Sequence, residues 1–269
     1  MTEKEQIRVV VSGPRGRMGS ETIRMIAQSP DLDLVAAIDH GHDGARIEDL
    51  LGITGLSGQV YTEIDACFSQ EDVDVLIDFT NPEAGKRNLQ KAIDYGVRPV
   101  IGTSGFSNEE VESYKQQMDE KKLGGIIAPN FAIGAVLVMK FSQMAAKYFP
   151  DAEIIELHHD KKKDAPSGTA IKTAELMAKS RQPKKQGAED EKETLVGARG
   201  ADFDGMRIHS VRLPGLIAHQ EVLFGGKGEL LTLRHDSMDR ASFMTGVHYA
   251  AKTVMDLDTL VYGLENILD

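Results

Sequence analysis

Ile7–Val11 is a β-branched run that ends in Ser12-Gly13-Pro14-Arg15-Gly16-Arg17-Met18-Gly19, with Ile23, Ile26 and Ala27 following at helical spacing. A strand that passes through a glycine turn straight into a helix leaves few architectures open. Glycines let the backbone turn tightly and approach a diphosphate seated on the helix N-terminus. The spacing, G-x-x-G-x-x-G, departs from the dinucleotide-binding G-x-G-x-x-G, so the turn by itself also fits a purely structural strand-to-helix link. Its context favours nucleotide binding. Leu34–Ile38 reads as a second buried strand, and Asp39 follows it about twenty residues beyond Gly19, where a carboxylate suits ribose hydroxyls.

The alternation continues through the first half. Val73–Phe79 reads as a later strand, Asn81-Pro82 as a helix cap with proline at the first helical position, and Leu89, Ala92 and Ile93 line one face of the helix that follows. Arg98–Gly102 is the next strand, Ser107 and Glu110 form a capping box, and Gly125–Ala128 is another short strand. This pattern predicts an α/β domain over residues 1–131, a doubly wound parallel sheet. Beyond it, Gly134–Phe149 reads as a buried helix, Glu153–His158 as a strand and Thr169–Ser180 as a helix. The charged stretch from Arg181 to Arg199 reads as a mobile loop or lid. Arg207–Leu213, His219–Gly225 and Glu229–His235 are strand-like runs without helices between them, which predicts a second α+β domain on an open mixed or antiparallel sheet over 132–239. Arg240–Leu268 is helical in period.

The 269 residues carry a formal net charge of −11, which argues against nucleic acid or an anionic membrane as partner. The N-terminus reads as free of a signal peptide, and the apolar run Ile126–Met139 is broken by Pro129 and Asn130, too short to span a bilayer. One cysteine, Cys67, excludes an intramolecular disulfide and points to a reducing, cytoplasmic setting. No histidine lies near it in sequence, which argues against a thiol nucleophile.

Against that acidic background, the segment from Glu153 to Thr169 stands out. His158 and His159 are followed by Lys161, Lys162 and Lys163, and Ser167, Gly168 and Thr169 open a helix. Imidazoles and a lysine cluster can donate protons and hold anions, and N–H groups at a helix N-terminus bind carboxylates. The plain alternative is a strand end with a solvated basic loop. Strand alternation sends neighbouring side chains to opposite faces, so both histidines reach one pocket only if the strand ends there. No metal site is expected, because no ligand set has zinc-like spacing and the lysines oppose a cation. Gly102-Thr103-Ser104-Gly105 and Ala128-Pro129-Asn130-Phe131 end strands on the carboxyl edge of the sheet, where ligands bind in this architecture. Asp39 favours NADH by repelling a 2′-phosphate, whereas Arg15 and Arg17, with His40 if protonated, can offset that repulsion; use of both NADH and NADPH is expected.

Together these residues closely resemble the 4-hydroxy-tetrahydrodipicolinate (dihydrodipicolinate) reductase family of bacterial lysine and diaminopimelate biosynthesis, over essentially the whole chain. The most specific element is His158-His159 with Lys162 and Asp164-Ala-Pro-Ser-Gly-Thr169; the Gly13–Gly19 turn, Asp78-Phe-Thr80, Gly102–Gly105 and Ala128–Phe131 fall in the family order. The resemblance implies that His158 is a proton donor or acceptor and Lys162 a second proton donor. It implies that His159 binds substrate and that Gly168 and Thr169, with Ser167, form the turn holding a substrate carboxylate. Cofactor contacts are implied for Gly13, Pro14, Arg15, Gly16, Arg17, Met18, Asp39, His40, Gly102, Thr103, Ser104, Ala128, Pro129, Asn130 and Phe131. It further implies an N-terminal Rossmann domain, a C-terminal substrate domain that also builds a homotetramer, a final helix packed back on the first domain, and a cyclic dicarboxylate imine as substrate. The spacing itself does not separate Lys162 from its two neighbours. Two rivals are another nicotinamide dehydrogenase and a non-catalytic nucleotide sensor. Cys67 is ill placed for the thioester chemistry of a semialdehyde enzyme, and a sensor has no use for the His-Lys segment.

Overall fold

The computed structural model describes residues 6–268, which divide into two compact units: the described residues up to Phe131 together with those from Phe243 onward, and Ala132–Ser242. The first unit opens with β1 (Ile7–Ser12), α1 (Arg17–Ala27), β2 (Leu32–Ile38), α2 (Ile47–Leu51), β3 (Gln59–Tyr61), α3 (Ile64–Gln70), β4 (Val75–Asp78), α4 (Pro82–Tyr95), β5 (Arg98–Ile101), α5 (Asn108–Lys121) and β6 (Gly125–Ile127). These strands lie side by side in the order β3-β2-β1-β4-β5-β6, all parallel. Parallel strands covered on both faces bury almost every side chain, as Val9–Val11 and Val75–Ile77 do. The helix signals are realised in atomic detail. Asn81 accepts the Ala84 N–H at 3.1 Å, and Ser107 and Glu110 exchange the two bonds of a capping box. The strand β3, three residues long, carries too little pattern to be read from sequence.

The second unit contains α6 (Ile133–Ala145), β7 (Asp151–His158), α7 (Gly168–Ala178), β8 (Ala201–Phe203), β9 (Met206–Arg212), β10 (Ala218–Gly226) and β11 (Glu229–Ser237). Its sheet runs β11-β10-β7-β9-β8; only the β7–β9 pair is parallel, so the sheet is mixed. Ala152 and Ile154 of β7, Ala170, Ala174 and Met177 of α7, and Phe224 of β10 share one core. Two expectations need correction. Helix α6 buries only one face, with Val136, Met139 and Ala145 inward and Phe141 and Met144 exposed. The 181–199 stretch forms no helix or strand but is anchored rather than loose. Arg181 and Gln186 are buried, Gln186 accepts the Ala152 N–H at 2.7 Å, and Arg199 pairs with both Glu153 and Glu191. Its charges meet opposite charges on and beside the sheet, which ties it down.

The chain then rejoins the first unit. The C-terminal segment is not one helix: α8 (Met244–Thr253) is flanked by 3-10 turns and followed by β12 (Leu260–Tyr262), which pairs in parallel with β6 and makes a seventh strand. Helical period was a poor guide here, because a three-residue strand between turns leaves the apolar spacing almost unchanged.

Candidate active site

The carboxyl ends of β1, β2, β4, β5 and β6 form one edge of the first unit's sheet. The residues expected to hold a nucleotide sit there: Gly13 to Met18 after β1, Asp39 and His40 after β2, Gly102 to Ser104 after β5, and Ala128 to Phe131 after β6. The glycine turn is sterically obligatory. Gly13 has φ +80°, and a Cβ on Gly19 would stand 2.0 Å from the Gly13 carbonyl oxygen. Gly16 precedes helix α1 at the cap position and has no side chain to bond it, so no cap side chain takes the bonds that the first N–H groups of α1 offer an anion. Asp39 is buried and bound in a bidentate fork by Arg15, Nε and Nη2 donating at 2.8 and 2.7 Å. The Arg15 bonds hold the Asp39 carboxyl below the usual carboxylate range, against the opposing effect of burial. Arg17 and His40 are exposed. Beside them lies a cavity of about 380 Å³, lined by Ser12, Gly13, Asp39, His40, Thr62 and Arg87 among others. A phosphate-ready helix start, a ribose-ready carboxylate and an adjoining cavity fit a nicotinamide dinucleotide.

Sequence reasoning missed how this edge is held. Asp78, at the end of β4, is fully buried and accepts from the Thr80 N–H (2.9 Å), the Thr80 hydroxyl (2.7 Å), the Thr103 hydroxyl (3.0 Å) and Asn88 Nδ2 (2.8 Å). Asn88 also donates to the Ser12 hydroxyl at 3.0 Å, so one network joins the ends of three strands. Phe79 packs edge-on against Phe131, and a Cβ on Gly102 would lie 2.1 Å from its ring. Cys67 is buried, which pushes its thiol up to about 12 and leaves it inert.

In the second unit, β7 ends at His158 and the chain turns, His159 accepting the Lys162 N–H at 3.2 Å. Alternation puts Ala152, Ile154, Glu156 and His158 on one face of the strand. Glu156 is fully buried and accepts from His158 Nδ1 at 2.5 Å, Arg212 Nη1 at 2.8 Å and Nη2 at 2.7 Å, and the Ser167 N–H at 3.2 Å. Desolvation raises its pKa, but bonds from His158, Arg212 and Ser210 outweigh that and bring it down to about 2. Neither Glu156 nor Arg212 was anticipated. Glu156 had a readable signal, an acidic residue two positions before His158 on the core face of a strand. Arg212 had none, since it reaches the site through the β7–β9 register, opposite His158. Of the three lysines, Lys161 and Lys163 are exposed and Lys162 is half-buried, its Nζ donating to Asp164 at 2.7 and 2.9 Å. Ser167 is buried; its N–H donates to Glu156, and its hydroxyl caps α7 by accepting the Ala170 N–H at 3.2 Å. Gly168 and Thr169 form the first turn of α7, and the position of a Gly168 Cβ is open space. Among the described residues no group of three or more His, Cys, Asp or Glu is placed to hold a metal ion, and no helix is long and apolar enough to cross a membrane.

The architecture has counterparts in known proteins. Residues 7–131 match the family described as dihydrodipicolinate reductase, N-terminus, and residues 134–268 its C-terminus. The chain belongs to the dihydrodipicolinate reductase family. A 4-hydroxy-tetrahydrodipicolinate reductase of Geobacillus kaustophilus is 59% identical over 263 residues, covering 98% of this chain and 99% of the relative. Another, of Halalkalibacterium halodurans, is 57% identical with 98% and 100% covered. A dipicolinate-bound dihydrodipicolinate reductase from Paenisporosarcina sp. TG-14 superposes with a TM-score of 0.90 at 50% identity, covering 98% of this chain and all of that one. More distant folds, such as an amine dehydrogenase of Mycobacterium smegmatis (TM-score 0.67, 15% identity), share the architecture alone. The chain is thus an NAD(P)H-dependent reductase acting on 4-hydroxy-tetrahydrodipicolinate on the diaminopimelate route to lysine.

Proposed function

We propose that this reductase carries out its reaction with His158 and Lys162 handling protons, Gly168, Thr169 and His159 holding the substrate's carboxylates, and either NADH or NADPH as reductant. The observation that carries the reading is His158 itself. It stands at the end of β7 with Nδ1 bound to a buried carboxylate, and the turn that follows it carries the half-buried Lys162 and leads to the first turn of α7. The nicotinamide, when bound, supplies hydride to the conjugated imine of the dihydrodipicolinate ring. The protein's part is to orient that ring and protonate the enamine that results. A lysine ammonium and an imidazole are both suited to that transfer. Two carboxylates call for fixed donors, which the N–H groups of a helix start supply. The Paenisporosarcina relative, bound to the planar dicarboxylate dipicolinate, supports this choice of ligand.

The Arg15–Asp39 fork supports dual cofactor use. Asp39 keeps lone pairs for ribose hydroxyls while paired, and Arg15 can turn from it toward a 2′-phosphate. A homotetramer built on the second unit is supported by its exposed apolar residues, Phe141 and Met144 on α6 and Leu230 on the edge strand β11. The deciding experiment supplies the condensation product of pyruvate and aspartate semialdehyde to the purified protein with NADH or NADPH in turn. Oxidation of both is expected. Oxidation of one alone overturns dual use, and oxidation of neither overturns the reading as a whole.

A further inference from the structure

Glu156 is a carboxylate that the reaction does not consume, buried on a strand face otherwise lined by Ala152 and Ile154. A charge in such a place is costly unless it is fully paired, and here its partners are His158 and Ser167 of the catalytic segment and Ser210 and Arg212 of β9. One oxygen accepts from His158 Nδ1 and Arg212 Nη1, the other from Arg212 Nη2 and the Ser167 N–H. Arg212 Nη2 also donates to the Asp164 carbonyl at 2.7 Å, in the turn that carries Lys162. We infer that the ion pair of buried Glu156 with half-buried Arg212 is the positioning device of this active site, fixing the tautomer of His158 and the path of the 160–167 turn at once. The inference rests on the assignment of His158 to proton transfer.

The chemistry follows from the acceptor-only nature of an ionised carboxylate. Because Glu156 cannot donate, Nδ1 of His158 carries the proton in their bond. Nε2 is then the atom that takes a proton from, or gives one to, the substrate. When Nε2 is protonated, the resulting imidazolium lies against a carboxylate already fixed in place, so no reorganisation is needed at the moment of transfer. Through Arg212 the same carboxylate sets the backbone at Asp164, and through the Ser167 N–H it sets the start of α7, whose first turn meets the substrate's carboxylate. Glu156 touches none of the reacting atoms and acts through residues that do.

A double-mutant cycle tests this. Wild type, Glu156→Gln, His158→Gln and the double variant are compared for kcat, KM and NADH affinity. Glu156→Gln is expected to lower kcat on the order of 10²-fold with NADH affinity unchanged, and to add less than about threefold in the His158→Gln background. Ring ¹⁵N spectra should show the Nδ1–H tautomer of His158 in wild type and a shift toward Nε2–H in Glu156→Gln, whose amide offers a donor as well as an acceptor. If His158→Gln is slow but the two effects multiply, Glu156 does not act through His158 and the inference falls alone. If His158→Gln keeps wild-type kcat, the assignment of His158 falls instead. Should Glu156→Gln fail to fold with Arg212 left unpaired, Glu156→Gln/Arg212→Met removes both charges and is carried through the same cycle; multiplicative effects there overturn the inference equally.

Discussion

His158 and Lys162 give the sharpest residue-scale predictions. Loss of a positioned proton donor costs on the order of 10²–10⁴ in rate, so His158→Gln and Lys162→Ala should each reduce kcat by that order while NADH affinity, a property of the other unit, stays near wild type. Lys161→Ala and Lys163→Ala should change kcat little, since both side chains are exposed and only Lys162 is half-buried beside Asp164. Steady-state kinetics on the four variants check this, and wild-type kcat in Lys162→Ala with a collapse in Lys161→Ala or Lys163→Ala would reassign the donor. Arg15→Ala carries the cofactor prediction. It should weaken NADPH binding more than NADH binding, whereas equal losses would place Arg15 on the diphosphate or away from the nucleotide. At this scale the residues with chemical signatures were legible: the paired histidines, the lysine cluster, the glycine turn and Asp39. Those acting through tertiary register were not. Arg212 lies over fifty residues from His158, and Asp78 and Asn88 read as an ordinary strand end and helix face until folding brings Ser12, Thr80 and Thr103 onto them.

Elements announced themselves by length and caps. The longer strands and the helices with Asn81 or Ser107 at their start carry enough period and capping chemistry to be read directly, whereas β3, β8 and β12, three residues each, are held by pairing with neighbours and have almost no pattern of their own. The joint between β7 and β9 yields a pH prediction. Glu156 has its pKa lowered in the fold from an ordinary 4.5 to about 2, so it contributes stability that is fully present above about 4.5 and is lost as pH falls toward about 2. Glu156→Gln should be less stable than wild type near neutral pH, by roughly 1–3 kcal/mol, because the half-buried Arg212 loses the charge of its partner. That gap should narrow steadily from about pH 4.5 down to about 2, because the unfolded wild-type chain takes up a proton at Glu156 that the folded chain does not. Urea unfolding of both proteins at successive acid pH values measures it. A gap that stays constant into acid would mean that Glu156 is not the ionised partner of Arg212.

For the whole molecule, the decisive feature is that the chain leaves the first unit at Phe131 and returns to it at Phe243. The returning segment is integral to that unit. Gly246 lies so close that a Cβ there would be 1.9 Å from the Phe131 carbonyl oxygen, His248 and Lys252 both pair with Asp31, and β12 completes the sheet on β6. Met244, Val247, Val254, Leu260 and Leu264 are all buried. Each such side chain is worth about 1.5–3 kcal/mol on burial. Their sum is comparable to the 5–15 kcal/mol that typically holds a domain folded. A chain ending at Ser242 should therefore lose NADH binding, even though the glycine turn, Asp39 and the Asp78 network are all still encoded in it. Fusing residues 1–131 to 243–269 through a flexible Gly/Ser linker should restore binding without any part of the second unit. NADH fluorescence titration of the two proteins decides the matter. Wild-type affinity in the truncated chain would show that the returning segment is an appendage to the nucleotide-binding unit rather than part of its core.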